Sequence, residues 1–297
     1  MKALKLLWEF SRPHTIIGSS ISVAAIYVIT VATTGAGWGA PIIPVAAILG
    51  ALACNIYITG LNQVMDVEVD RINKPWLPIA AGRLTPRQGV NIVIACGILA
   101  LGISLWRSFY VMTIIATIMA IGTAYSLPPL KFKRHHLGAA MAITMVRGLL
   151  VNLGLHAHFV NELTGSIAIH AAIVPLTVFI TAFSLGIAWF KDIPDTRGDA
   201  LHVFGTVAVL HGRRKALLLG ATVVSFAYVS VISGAAFAFM PSAGFYIATH
   251  LIILALFLAH IVRLKVHDDH QVERSYKLFW GLFSLEYLLY PIGLLMA

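Results

Sequence analysis

Long apolar runs recur from one end of this 297-residue chain to the other, and they decide what it can fold into. Only 11% of its residues are charged, where a water-soluble chain of this size carries about 25%. In hydrocarbon every backbone N–H and C=O needs a partner within its own segment, so apolar runs of about 20 residues become spanning α-helices. Nine such runs are read, at 16–34, 42–61, 90–106, 109–126, 138–156, 169–190, 216–237, 243–262 and 278–296. The expected fold class is all-α: a polytopic membrane protein with nine transmembrane helices in one bundle. No Pro/Ser-rich linker or low-complexity tract divides the chain, so residues 1–297 read as a single domain.

The net charge of +9 follows from topology. Nineteen of the 21 Lys and Arg residues fall on one side of the predicted spans. Arg107 alone lies on the other side, and Arg147 falls inside a span. Basic residues collect in cytoplasmic loops, so the N-terminus is expected in the cytoplasm and the C-terminus outside. No basic tail or basic–aromatic interleaving points to nucleic acid, which is not an expected partner. Cys54 and Cys96 sit inside apolar segments and do not read as a disulfide framework. No Arg- and Ser-rich presequence or cleavable signal is visible, so the first apolar run reads as part of the protein.

Against this background two acidic clusters stand out. Asn62, Asp66 and Asp70 are spaced i, i+4, i+8, and form one face if the second span continues as helix. Asp192, Asp195 and Asp199 have offsets of 0, 3 and 7, again one helical face, with Pro194 making part of the cluster less regular. Like charges so spaced destabilise a bare helix, and a cation between them reverses the penalty. Mg²⁺ takes oxygen ligands, commonly one or two carboxylates plus substrate phosphates. Basic neighbours are at hand for a diphosphate: Arg12, Arg71, Lys74, Arg83, Lys131, Arg134, Lys191 and Arg197. Glu68 points off the Asp66/Asp70 face and reads as a solvated carboxylate.

Arg147, about nine residues into the fifth predicted span, must face the bundle interior, because ionisable groups at that depth are costly and mark function. Asn152 reads as a helix–helix hydrogen bond, and Glu286 is a second buried charge without an evident partner. His156 and His158 read as interfacial histidines.

Through these two clusters the chain resembles the UbiA superfamily of intramembrane prenyltransferases. N-x-x-x-D-x-x-x-D is matched by Asn62, Asp66 and Asp70, and D-x-x-D-x-x-x-D by Asp192, Asp195 and Asp199. Within it, several segments resemble homogentisate prenyltransferases: Arg12-Pro13-His14-Thr15, Leu77-Pro78-Ile79-Ala80-Ala81-Gly82, Tyr125-Ser126-Leu127-Pro128-Pro129, Val146-Arg147-Gly148 and Phe190-Lys191-Asp192. Trp76-Leu77-Pro78 stands where many members of the superfamily have Arg, which leaves Arg83 as an alternative phosphate contact. The resemblance implies Mg²⁺ on Asp66, Asp70, Asp195 and Asp199. It also implies diphosphate contacts from Lys131 and nearby basic residues and, since plant members carry a plastid presequence that is not visible here, a prokaryotic inner membrane. Taken with the reading of the residues themselves, the candidate catalytic residues are these four aspartates with Asp192 and Lys131, and the candidate substrate contacts are Asn62, Arg12, Arg71, Lys74, Arg83, Tyr125, Arg147 and Lys191.

The expected reaction is Mg²⁺-dependent prenyl transfer from a prenyl diphosphate to an aromatic acceptor, homogentisate with loss of CO₂, in the bilayer with the active site on the cytoplasmic side. The alternatives are another UbiA-type acceptor, such as a different quinone precursor or geranylgeranylglyceryl phosphate, and a cation-coupled transporter. Transporters place broken helices at the midplane, whereas these aspartates lie at one membrane edge.

Overall fold

A computed structural model describes residues 2–237 and 242–296. Among these residues, nine helices are long and apolar enough to cross a membrane. A short amphipathic helix, α1 (Lys2–Phe10), precedes the first span, α2 (Pro13–Thr34). Then come α3 (Ile42–Met65), the short α4 (Val67–Asn73), α5 (Pro86–Arg107) and α6 (Phe109–Ser126). The fifth span, His136–Thr164, has three parts: α7 (His136–Thr144), a π-helical stretch (Met145–Gly154) and α8 (Leu155–Thr164). The rest are α9 (Val174–Phe190), α10 (Asp192–Leu201), α11 (Val207–His211), α12 (Arg213–Phe237), α13 (Ala243–Arg263) and α14 (Asp269–Leu295).

Lipid gives helices no hydrophobic reason to associate, so close approach and buried polar contacts hold the bundle. At the α9–α12 crossing, a Cβ on Gly186 would lie 2.6 Å from Val224 Cγ2. Phe179, Phe183, Tyr228, Phe279 and Tyr290 fill the interior between these helices, α13 and α14. Glu286 finds its partner here: His250 Nε2 lies 3.0 Å from Glu286 Oε2, joining α13 to α14 across 36 positions of sequence. Asn152 bonds Tyr287 across helices as expected, with Tyr287 Oη donating to Asn152 Oδ1 at 2.8 Å. Its amide also donates to the carbonyls of Arg147 (3.0 Å) and Gly148 (2.7 Å), which helps satisfy the widened π-turns. His156 and His158 are buried, not interfacial. The His156 ring is drawn in by Thr30 Oγ1 (2.9 Å) and His170 Nδ1 (3.2 Å).

Candidate active site

The first acidic segment departs from a single continuous helix. α3 stops at Met65, and Asp66 has φ −116° and ψ 23° before α4 begins. Short polar residues such as Asp compete with the helical ladder and favour its ends. Here the Asp66 carboxylate is engaged elsewhere: Lys133 Nζ donates to Oδ2 at 2.5 Å, and Lys131 Nζ lies 4.0 Å from Oδ1. The backbone bridges the break, with Asp70 N donating to Asp66 O at 2.7 Å. The second segment is helical throughout. Pro194 occupies the first turn of α10, where no intrahelical donor is needed.

The two segments pack against each other, α4 on α10. Asn73 joins them: its Nδ2 donates to Asp199 Oδ1 at 3.3 Å, and its Oδ1 accepts from Gly198 N at 2.8 Å. Only glycine permits this, since a Cβ on residue 198 would lie 2.4 Å from Asn73 Oδ1. Lys74 crosses from α4's end to pair with Asp195, and Lys191 pairs with Asp192.

Three of the five aspartates therefore face a lysine, while Asp70 and Asp199 have no ion pair among the described residues. Burial, with Asp66 and Asp195 adding, pushes the Asp70 carboxyl up to about 6. Burial, then Asp195 and Asp192, pushes Asp199 up to about 7. Burial works to lower the Lys191 and Lys74 ammonium groups, but Asp192 and Asp195 respectively outweigh it, and both end above their ordinary value. At Lys133 burial wins over Asp66, and the ammonium falls below its ordinary value.

Beside these segments opens a cavity of about 260 Å³. Arg12, Asn62, Tyr125 and Lys191 stand among its polar lining; Cys54, Ile114, Ile118, Val151 and Leu155 belong to its apolar part. Arg12 Nη2 donates to Asn62 Oδ1 at 3.3 Å. Arg12 (φ 55°) and Lys131 (φ 38°) both hold left-handed backbone conformations, the kind of strain that gathers at functional sites. Arg147 lines the same cavity and forms no ion pair or side-chain hydrogen bond among the described residues; its guanidinium lies 4.3 Å from the centre of the Trp280 ring. A guanidinium at mid-span costs about 2.5–3.5 kcal/mol, and a cation–π contact returns about 0.5–2 kcal/mol. Trp280 alone does not offset that charge.

The remaining predicted residues lie apart. Arg71 is exposed and pairs with Glu68 at 2.8 Å, so both point outward. Arg83 pairs with Glu9 and donates to the Trp76 carbonyl at 2.6 Å. Sequence reasoning missed Asn73, and it counted Lys133 only towards topology. The alternation Lys131-Phe132-Lys133 shows two cations but not which one turns inward. His14, Tyr276 and Trp280 were also missed as cavity residues; the first lies in the Arg12–Thr15 segment, the others 262 and 266 residues further on.

The profile of the UbiA prenyltransferase family matches residues 22–283. The chain belongs to that family. It is 38% identical to the homogentisate phytyltransferase of Synechocystis sp., over 99% of this chain and 97% of that one. It is 32% identical to the chloroplast homogentisate solanesyltransferase of Arabidopsis thaliana, over 96% and 75%. Among solved structures it shares its fold with a UbiA homologue from Archaeoglobus fulgidus bound to DMAPP and Mg²⁺, at TM-score 0.66 and 15% identity, over 96% and 98%. The family and the apolar helices make this chain an integral membrane prenyltransferase.

The acidic residues fit a hard divalent cation. Asp66 Oδ1, Asp70 Oδ2 and Asp192 Oδ2 are buried without a hydrogen-bond partner. Among the described residues no group of three or more His, Cys, Asp or Glu side chains is placed to hold a metal ion by itself. An ion that takes one or two carboxylates and completes its shell with phosphate and water needs none.

Proposed function

We propose that this chain transfers a prenyl group from a prenyl diphosphate to homogentisate, with loss of CO₂, in a Mg²⁺-dependent reaction. The observation that carries the reading is the docking of two acidic segments beside an apolar cavity. Its similarity to homogentisate prenyltransferases supports the choice of acceptor. In this reading residues 1–297 form one domain in a prokaryotic inner membrane, with N-terminus and active site on the cytoplasmic side; the one-sided Lys and Arg distribution supports that orientation.

Asp66, Asp70, Asp195 and Asp199 would hold Mg²⁺, which when bound neutralises charge building on the departing diphosphate. Lys131, Lys133, Lys74, Lys191 and Arg12 bind the diphosphate oxygens; Asp192 orients Lys191, and Asn62 orients Arg12. The prenyl C1–O bond breaks, with its electron pair leaving on diphosphate. A ring carbon of the acceptor supplies the pair for the new C–C bond and then releases its proton. The acetate arm loses CO₂, and its methylene takes up one proton, so the protons balance. The apolar lining seats the prenyl tail and keeps water from the allylic cation.

The test is turnover of labelled prenyl diphosphate by the purified protein with homogentisate and Mg²⁺. A prenylated, CO₂-releasing product is expected. Uptake into vesicles without chemical conversion would replace this reading with the transporter.

A further inference from the structure

One group in the cavity has no task in diphosphate binding. Arg147 lies eleven residues into the span that begins at His136, on its π-helical stretch, and shares the cavity with Lys191 but, unlike Lys191, pairs with no aspartate of the acidic segments. Its backbone is held firmly. Asn152 bonds the Arg147 carbonyl, and a Cβ on Gly148 would lie 2.7 Å from the Thr181 Cα, so the π-helix sits close against α9. The side chain is half-buried, and it lines the cavity. An ionised side chain kept there without a protein anion awaits a ligand anion.

The surroundings of Arg147 state the rest of that ligand's chemistry. Trp280 lies beneath the guanidinium. His14 meets Trp280 edge-on at 5.1 Å between ring centres, and Tyr276 lies 6.4 Å from His14 and 6.5 Å from Trp280. These three rings pack edge to face, and all three line the cavity together with Arg147. Aromatic walls receive an aromatic ring edge-on or offset. A guanidinium receives a carboxylate as a forked pair of charged hydrogen bonds.

We infer that Arg147 with His14, Tyr276 and Trp280 is the acceptor subsite, and that it selects an aromatic acid by its carboxylate. This rests on the prenyl-transfer reading and adds to it that the acceptor enters with its carboxylate intact. An acceptor without that group, such as a plain quinol, leaves Arg147 unpaired and is discriminated against.

The experiment compares wild type, Arg147→Gln and Arg147→Lys in detergent, each checked for a monodisperse, unshifted melting transition. The acceptors are homogentisate and methylhydroquinone, which has the ring but no carboxylate. Loss of a charge-assisted pair predicts a roughly 10- to 100-fold rise in KM for homogentisate in Arg147→Gln. KM for prenyl diphosphate and kcat/KM for methylhydroquinone stay within ~3-fold of wild type, because neither uses the guanidinium. Arg147→Lys recovers part of the loss, since it keeps the charge without the fork. An equal fall on both acceptors, or a rise confined to the KM of prenyl diphosphate, overturns the subsite. If wild type turns over neither acceptor, the prenyl-transfer reading fails by itself. Equilibrium dialysis of labelled homogentisate then decides the subsite alone: retention by wild type and loss in Arg147→Gln supports it, and equal or absent retention overturns it.

Discussion

Gly198→Ala is the sharpest probe of how the two acidic segments are joined. The new Cβ would lie 2.4 Å from Asn73 Oδ1 and 2.7 Å from Nδ2, so the Asn73 side chain must swing away. It then forfeits its bond from Gly198 N at 2.8 Å and its bond to the Asp199 carboxylate at 3.3 Å. The first is worth about 1 kcal/mol and the second, to a charged group, about 2 kcal/mol. Alanine returns about 1 kcal/mol of helix propensity. The net loss is about 2 kcal/mol of docking between α4 and α10, or ~30-fold in kcat/KM for prenyl diphosphate. Because the three atoms nearest the new Cβ all belong to the Asn73 side chain, Asn73→Ala should match this effect within a few-fold, and Asn73→Ala/Gly198→Ala should be no worse than Asn73→Ala. Steady-state kinetics on the three variants decides. Additive losses in the double variant would refute the argument, as would near-normal activity in Gly198→Ala.

Lys133→Met leaves Asp66 buried without its closest partner, a change that costs about 3 kcal/mol, and Asp66→Asn/Lys133→Met should recover most of it in thermal melts with EDTA. The pH response of the metal-free protein follows from Asp70 and Asp199. Both carboxyls are raised from 3.8, to about 6 and about 7, so the folded state holds more protons between those values. Metal-free stability should therefore fall as pH rises through that window, and Asp70→Asn should flatten the part near 6. A melting temperature that rises across the window would contradict these shifts. Arg71→Ala removes only an exposed i, i+3 pair and should change KM for prenyl diphosphate by less than about 2-fold, whereas Lys74→Ala should raise it at least ~10-fold.

Much of this architecture was legible in the sequence because lipid enforces a simple rule: apolar runs must be helices. The predicted span ends fall short where polar turns carry a helix beyond the apolar run. α14 begins at Asp269, nine residues before the predicted 278, because its first turns are charged. The Asp spacings identified both segments, but no residue before Asp66 announces the break that separates α3 from α4. The π-helix at Met145–Gly154 left no mark either, since a widened turn depends on Asn152 and the tight seat against Thr181. Partners far apart in the chain were equally hidden. His250 and Glu286, or Lys74 and Asp195, meet only through the folded bundle. The roles of Arg71 and Arg83 depended on side-chain direction, which spacing on a short helix and a loop does not fix.

The central claim is that both acidic segments act together, through Mg²⁺, on one diphosphate. Equilibrium dialysis of labelled inorganic pyrophosphate against the purified protein measures it most directly. Retention is expected with Mg²⁺, and should disappear in EDTA, in Asp66→Ala and in Asp195→Ala alike. If either variant retains pyrophosphate as wild type does, the shared site does not exist.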